Sequence, residues 1–147
     1  LKVICEFYSE VGSRVNAAGM KLGYHNHSHE YQKVEDKVML DYMLENTDPA
    51  KLFFEMDVYW TVRGQVAPVA MFKKYPGRFT LLHIKDDSEI GQSGMVGFDA
   101  IFNNAETAGL KGWIVELEHA STPDIMAGMK MSADYLLNAA FVKESYE

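Results

Sequence analysis

The feature that most constrains this chain is a recurrence. Four short apolar runs, Lys21–Asn26 (KLGYHN), Leu52–Asp57 (LFFEMD), Phe79–Lys85 (FTLLHIK) and Gly112–Leu117 (GWIVEL), are each bounded by turn residues and each followed by a helical pattern. With Tyr24, Phe54, Leu82 and Val115 as midpoints, the spacings are 30, 28 and 33 residues. A strand recurring at that interval, with a helix between, is the βα unit of a parallel sheet. The runs are nearly continuous rather than alternating, as expected of strands covered on both faces.

The helices are legible from their period. Ile4, Phe7, Val11, Val15 and Ala18 fall at three- and four-residue steps and predict an opening helix, stopped by Gly19. Met39, Leu40, Met43 and Leu44 predict a second, ended by Asn46-Thr47-Asp48-Pro49, and Gln65–Tyr75 a third, closed by Pro76-Gly77. Ile101, Phe102, Ala105 and Ala108 mark a fourth with Gly109 as its cap. The last is expected from Asp124 to Phe141, with Ile125, Met129, Leu136 and Ala140 inward. The order is α-βα-βα-βα-βα, with no linker between independent domains. No glycine-rich phosphate loop succeeds the first strand, as it would in a dinucleotide-binding doubly wound sheet. Four βα units are also half of an eight-unit barrel, which typically needs about 250 residues. Period alone leaves both options open.

Composition narrows the function classes. At 147 residues, with 48% hydrophobic and 24% charged, the chain is an ordinary globular sequence and not a disordered one. Its 14 Lys+Arg against 21 Asp+Glu give −7, a balance that repels nucleic acid and anionic membrane surfaces. The one cysteine, Cys5, excludes an internal disulfide and a thiolate zinc cluster. No apolar run approaches the roughly 18 residues of a membrane span, and no signal peptide opens the chain, so a cytoplasmic location is expected.

The polar residues cluster at the strand ends. After the first strand come His25, His27, His29 and Glu30. The second ends in Glu55-Met56-Asp57, the third contains His83 with Lys85-Asp86, and the fourth contains Glu116 with Glu118 and His119 just beyond. In a parallel sheet all C-terminal ends point one way, and barrel enzymes build their sites there. Acid, acid, imidazole and acid on one rim make an O/O/N/O set suited to a divalent ion: Mn²⁺, Mg²⁺, Co²⁺ or Zn²⁺. Bland readings stand beside this one. The histidine tract reads equally as a polar loop, Asp57 as a helix cap, Glu55 as structural or outward-facing, Lys85-Asp86 as a solvated pair, Gly91–Gly94 as a flexible rim loop, and the nine methionines as core filler.

Taken in order, GYHNHSHEY (Gly23–Tyr31), MDVYWTVRG (Met56–Gly64), KKYPGRFTLLHIKD (Lys73–Asp86), GMVGFDAIF (Gly94–Phe102) and WIVELE (Trp113–Glu118) resemble the sugar phosphate isomerase/epimerase family of xylose isomerase-like (β/α)₈ TIM barrels. The resemblance runs from Gly19 to about Glu118. It implies a single domain over 1–147, the C-terminal half of such a barrel, with about four βα units present. It further implies metal ligands at Asp57, His83 and Glu116. His25 stands where the epimerases have a glutamate, so Glu30 is taken as the fourth ligand, with His25 or His27 as a proton-transfer or supporting group. Trp60 replaces a histidine that epimerases often place three residues after the metal aspartate.

Such a ligand set implies Lewis-acid chemistry on a sugar carbonyl, stabilising an enediolate while a carboxylate or imidazole moves the proton. Glu116, Glu30 and His27 are the expected catalytic groups, and His25, Trp60, Arg63 and Lys85 the expected substrate contacts. The leading expectation is a metal-dependent isomerase or epimerase of a sugar or sugar phosphate. The alternatives are a lyase or dehydratase on a keto-sugar, keto-glycoside or keto-inositol, and a non-catalytic sugar-binding half-barrel. Two unpaired sheet edges and an uncovered interior imply either a longer natural chain or a homo-oligomer.

Overall fold

The computed structural model describes residues 1–146. Helix α1 (Lys2–Ala17) leads into β1 (Leu22–His25), a 3-10 turn at His29–Tyr31, and a hairpin of β2 (Lys33–Val34) and β3 (Lys37–Val38). Next come α2 (Met39–Glu45), β4 (Leu52–Asp57), α3 (Val58–Arg63), α4 (Pro68–Lys74), β5 (Leu81–Ile84), α5 (Phe98–Asn103), α6 (Ala105–Ala108), β6 (Gly112–Val115) and α7 (Ile125–Leu137). Strands β1, β4, β5 and β6 form one sheet in that order, every neighbouring pair parallel. The strand order never reverses, as it must in a doubly wound sheet. Consecutive parallel strands joined by helices are the repeating arc of a (β/α) barrel, and this chain forms part of one.

Side chains alternate between the faces of a strand. On β4, Leu52, Phe54 and Met56 are fully buried toward the helices, where Phe72 and Phe79 join them. The Phe54 and Phe79 ring centroids are 6.4 Å apart, and those of Phe72 and Phe79 are 5.7 Å apart. The intervening residues, Phe53, Glu55 and Asp57, turn to the other, concave face. Gly23 of β1 is small for that reason: a Cβ there would lie 2.4 Å from the Phe53 ring.

Several elements differ from their sequence reading. In α1 the buried residues are Cys5 and Gly12, while Ile4 and Phe7 are exposed. A Cβ at Gly12 would come within 2.2 Å of the Lys51 carbonyl oxygen, so the glycine is what lets this face approach the sheet. The third helix starts later than Gln65, at Pro68 of α4, where its missing N–H costs nothing, and the unexpected α3 precedes it, with Gln65 in a left-handed backbone between the two. Asn104 breaks the fourth into α5 and α6, although Ile101, Phe102, Ala105 and Ala108 are all buried as expected and Gly109 is the left-handed cap.

Helix α7 stops at Leu137 and buries Gly128, Ser132 and Leu136. Ile125 and Met129 face outward, and Ala140 lies beyond the helix and is exposed. Among the methionines, Met43, Met56 and Met71 fill the core, but Met20, Met95, Met126, Met129 and Met131 are exposed. No described helix is long and apolar enough to cross a membrane.

Candidate metal centre and its pocket

The concave face collects polar groups because the same alternation that seals the outer face leaves every second residue inward. Register sets them side by side: His25 is paired with Glu55, and Asp57 with His83. His83 is paired in turn with Ile114, which places Glu116, two residues on, beside Lys85. Glu55 is therefore not outward-facing. Lying two residues from Asp57 puts it on the same face, and its Oε1 is 2.8 Å from His83 Nδ1 and 3.9 Å from His25 Nδ1.

That contact fixes the His83 tautomer. A carboxylate accepts, so Nδ1 carries the proton and Nε2 presents a lone pair. Nε2 is buried, has no hydrogen-bond partner, and lies 3.4 Å from Glu116 Oε2. Two acceptors facing each other, the ring nitrogen buried and the carboxylate on the rim, suit a cation between them. One ligating atom each from Asp57, His83 and Glu116 falls within 4.8 Å of the others, close to the spacing that a single ion with bonds of about 2.0–2.2 Å requires. A carboxylate holding the far nitrogen of a ligating histidine is the usual outer support of such a site. His25, Glu55 and His83 form a second close set, but there Glu55 is already committed to His83 Nδ1. The donor chemistry fits a divalent ion at the first set.

Asp57 serves two ends at once. Fully buried, its Oδ1 accepts from Trp60 N at 2.8 Å, capping α3, while Oδ2 lies 3.3 Å from His25 Nε2. That hydrogen bond is the main influence raising the His25 pKa above its ordinary value; burial opposes it. The backbone around Asp57 is pinned by a buried network: Asn26 accepts from Asp57 N, Thr61 Oγ1 donates to the Asp57 carbonyl, and the Tyr31 hydroxyl shares a 2.7 Å hydrogen bond with Thr61. Gly64 makes room for Tyr31, since a Cβ there would meet its ring at 2.5 Å. Sequence reasoning missed Asn26, Thr61 and Tyr31. Asn26 and Tyr31 flank the histidines it singled out, but nothing local marks them as a brace.

The structure does not bring Glu30 to this cluster. It is buried on the 3-10 turn, where Oε1 accepts from the Tyr24 hydroxyl and Oε2 from His27 N, both at 2.9 Å, with His29 Nε2 3.2 Å from Oε1. Its two oxygens close the loop after β1, and burial beside it pushes the Tyr24 pKa upward. His27 stacks on His25 at 5.0 Å between centroids and sits 5.8 Å from Trp60, and His25 lies 4.3 Å from the His83 ring.

Beside the cluster opens a cavity of about 370 Å³ lined by Tyr59, Trp60, Lys85, Asp87, Glu118 and His119, among others. Lys85 and Asp86 are not a solvated pair; both are buried. Lys85 Nζ is 2.7 Å from Glu118 Oε2 and 3.8 Å from Glu116 Oε2, and 5.1 Å from the Tyr59 ring centre. The ammonium holds the Glu118 carboxyl below its ordinary pKa. Asp86 accepts from the backbone of Asp87 and Gly91 and from the Ser93 hydroxyl, so the Gly91–Gly94 turn is tied down at its start. Arg63, exposed at the rim, donates to the Tyr59 hydroxyl at 2.7 Å, and that hydroxyl donates to Asp87 at 2.9 Å.

Imidazole and carboxylate groups drawn from the C-terminal ends of consecutive parallel strands define a xylose isomerase-like α/β part-barrel. Its structural neighbours are sugar phosphate isomerase/epimerase proteins. Two crystal structures of sugar phosphate isomerase/epimerases from Parabacteroides distasonis superpose on 97% of this chain, with TM-scores of 0.92 and 0.89 at 43% and 41% identity. An inosose dehydratase of Lacticaseibacillus casei is 25% identical over 128 residues, 71% of this chain. No protein-family model matches. The chain spans 53% and 55% of the two solved structures and 42% of the dehydratase, about half the length of its relatives.

Proposed function

We propose that this chain supplies the C-terminal half of a metal-dependent barrel that moves a proton next to a sugar carbonyl. One observation carries the reading: His83, held through Nδ1 by Glu55, turns a buried lone pair on Nε2 toward Glu116 with no hydrogen-bond donor to meet it. Asp57, His83 and Glu116 would hold a divalent ion of the Mn²⁺, Mg²⁺, Co²⁺ or Zn²⁺ type. His25 is better placed than Glu30 to complete the set, because its Nε2 already faces Asp57 whereas the Glu30 oxygens face Tyr24 and His27 N. When bound, such an ion supplies electrostatic stabilisation of the negative charge that develops on a sugar's vicinal oxygens during enolisation.

The chain's own residues do the rest. Glu116, half exposed on the rim, is the carboxylate that reaches the reacting C–H and takes its proton. His27, stacked on His25 and tilted against Trp60, is the proton carrier on the other side. The Lys85 ammonium, buried 3.8 Å away, positions the Glu116 carboxylate by charge attraction. Trp60 offers a flat surface for a sugar ring, and Arg63 braces Tyr59 at the pocket edge. Returning the proton to the neighbouring carbon isomerises the sugar, and returning it to the opposite face epimerises it. The names of the solved neighbours favour these outcomes. A second reading, loss of a β-hydroxyl, is favoured by the inosose dehydratase relatives. The sheet edges at β1 and β6 and the exposed apolar residues of α1 and α7 fit a longer chain or a second copy completing the barrel.

The test is elemental analysis, then solvent-deuterium exchange on keto-sugars. The expected result is one divalent ion per chain, removed by chelator together with deuterium incorporation, both lost in His83→Ala. Isomerisation labels a carbon that keeps its hydroxyl, whereas dehydration gives an enone absorbing in the ultraviolet. A protein that binds no ion yet still exchanges the proton overturns the reading.

A further inference from the structure

Beneath the rim lie buried polar groups that the proposed chemistry does not use, and Thr61 is the node where they meet. Asn26, Asp57 and Thr61 are each at most 1% exposed. The Thr61 hydroxyl has one proton, which goes to the Asp57 carbonyl at 2.6 Å. The Tyr31 hydroxyl, 2.7 Å away, is therefore the donor in its contact with Thr61, and the Asn26 amide donates from 3.4 Å. One donated and two accepted bonds exhaust what a hydroxyl can make. Asn26 closes the circuit, its Oδ1 accepting from Asp57 N at 3.3 Å.

Helix α3 gains little from this arrangement. The carbonyl of an N-cap residue such as Asp57 already accepts the first intrahelical bond, so the Thr61 hydroxyl adds a second one that the helix does not require. Threonine is also among the poorer helix formers, and back-bonding to the carbonyl four residues earlier slightly destabilises a helix. Gly64 follows the same logic. Its backbone, with φ −74°, suits any residue, and what demands glycine is the Tyr31 ring, 2.5 Å from where a Cβ would stand. Two positions on one short helix thus favour the seating of Tyr31 over helix stability, a local conflict of the kind found at functional sites. What they secure is Asp57. Its N–H is held by Asn26, its carbonyl by Thr61 and its Oδ1 by Trp60 N, which leaves Oδ2, turned toward His25, as the oxygen free for an ion. We propose that Thr61 and Tyr31 are positioning residues for the divalent ion: Tyr31, anchored on the 3-10 turn after β1, acts through the Thr61 hydroxyl to fix the backbone of Asp57 and so the aim of its free oxygen. Because Tyr31 reaches Asp57 by way of Thr61, the two form a single path. The inference rests on the reading of Asp57, His83 and Glu116 as an ion site, and adds the residues that aim it.

The experiment is calorimetric titration with Mn²⁺ alone of the unaltered protein, Thr61→Val, Thr61→Ser, Tyr31→Phe and the Tyr31→Phe/Thr61→Val double variant, with a melting curve for each. Valine keeps the size and branching of threonine and loses the hydroxyl. Thr61→Val is expected to weaken Mn²⁺ binding by about tenfold or more, as loss of an outer partner of a ligand does. Thr61→Ser, which keeps the hydroxyl, should restore most of that affinity. Tyr31→Phe should weaken binding by less than Thr61→Val, because the Thr61 bond to Asp57 survives. The double variant should bind no more weakly than Thr61→Val, since changes along a single path do not add. A merely structural role predicts lowered melting temperatures with unchanged affinity of the folded protein. Unchanged affinity in Thr61→Val, failure of serine to restore it, or additive losses in the double variant overturns the inference and leaves the ion site standing. Should Thr61→Val fail to fold, Tyr31→Phe, which removes a single oxygen, decides alone, and affinity equal to that of the unaltered protein overturns the inference. Absence of Mn²⁺ binding by the unaltered protein sinks the ion site and this inference with it.

Discussion

The two faces of the four-stranded sheet are built from alternate residues of the same strands, yet they do opposite things. On β4, Leu52, Phe54 and Met56 disappear against the helices, while Glu55 and Asp57, one pleat away, converge with His25 and His83. The outer face is apolar and closely packed. The inner face is polar, partly exposed, and holds charges that no isolated strand would tolerate. The contrast teaches that stability is carried by one phase of the period-two pattern and chemistry by the other, so substitutions in the two phases should fail in different assays.

The largest expected effect is on the outer face. Phe54→Ala empties a site packed against the Phe79 ring and is expected to cost about 3–5 kcal/mol of stability, as large aromatic truncations in cores do. Urea or guanidinium unfolding measures it. The fraction still folded should keep its ion affinity, and a loss of affinity in that fraction would break the separation between the faces.

Asp57→Asn sharpens the comparison from the other side. Asparagine caps a helix about as well as aspartate, so the bond to Trp60 N should survive and the melting temperature should move little. The lost charge should cut divalent-ion affinity by more than about 100-fold, beyond the range typical of an outer supporting residue. Metal titration monitored alongside thermal melting separates the two roles. Next in size is Glu55→Gln. The amide oxygen can still accept from His83 Nδ1, so ion affinity should drop by about tenfold, the mild end for an outer partner, with the fold intact.

How much of the molecule was legible in the sequence also divides along the two phases. The four strands, their parallel order and the outer core were readable because continuous apolar runs and their spacing depend on local residues. Asp57, His83 and Glu116 were readable because strand ends mark a rim. Of the two readings of Glu55, the structural one fits its hold on His83, and the outward-facing one overlooked that residues two apart share a face. Glu30 was chosen by nearness along the chain, but the 3-10 turn at His29–Tyr31 folds it under Tyr24. In α1, Ile4 and Phe7 form one apolar stripe and Cys5, Tyr8 and Gly12 another; period reveals both but not which one meets the sheet, a matter decided by the close approach at Gly12. The β2–β3 hairpin was invisible because its turn places Glu35 and Asp36, rather than the usual asparagine and glycine, in the left-handed region.

The smallest effect concerns a tether between rim loops that neither phase of the strands supplies. Glu89, fully buried after β5, accepts from Ser121 N at 2.9 Å and so joins the loop after β5 to the loop after β6. Hydrogen bonding from the Ser121 side chain is the main reason its carboxyl lies below the ordinary pKa, and the Ser121 backbone N–H adds to it. A carboxyl whose folded pKa is depressed stabilises the fold above its unfolded pKa, and that contribution disappears as pH falls through the folded value. Glu89→Gln should therefore be slightly less stable than the parent at neutral pH, with the difference shrinking below about pH 4 as Glu89 takes up its proton. Melting curves of the two proteins across that range measure it. Parallel curves at every pH would show that the tether carries no charge-dependent stability, and that the pocket wall at Ser121 is held by the backbone of the β6–α7 loop instead.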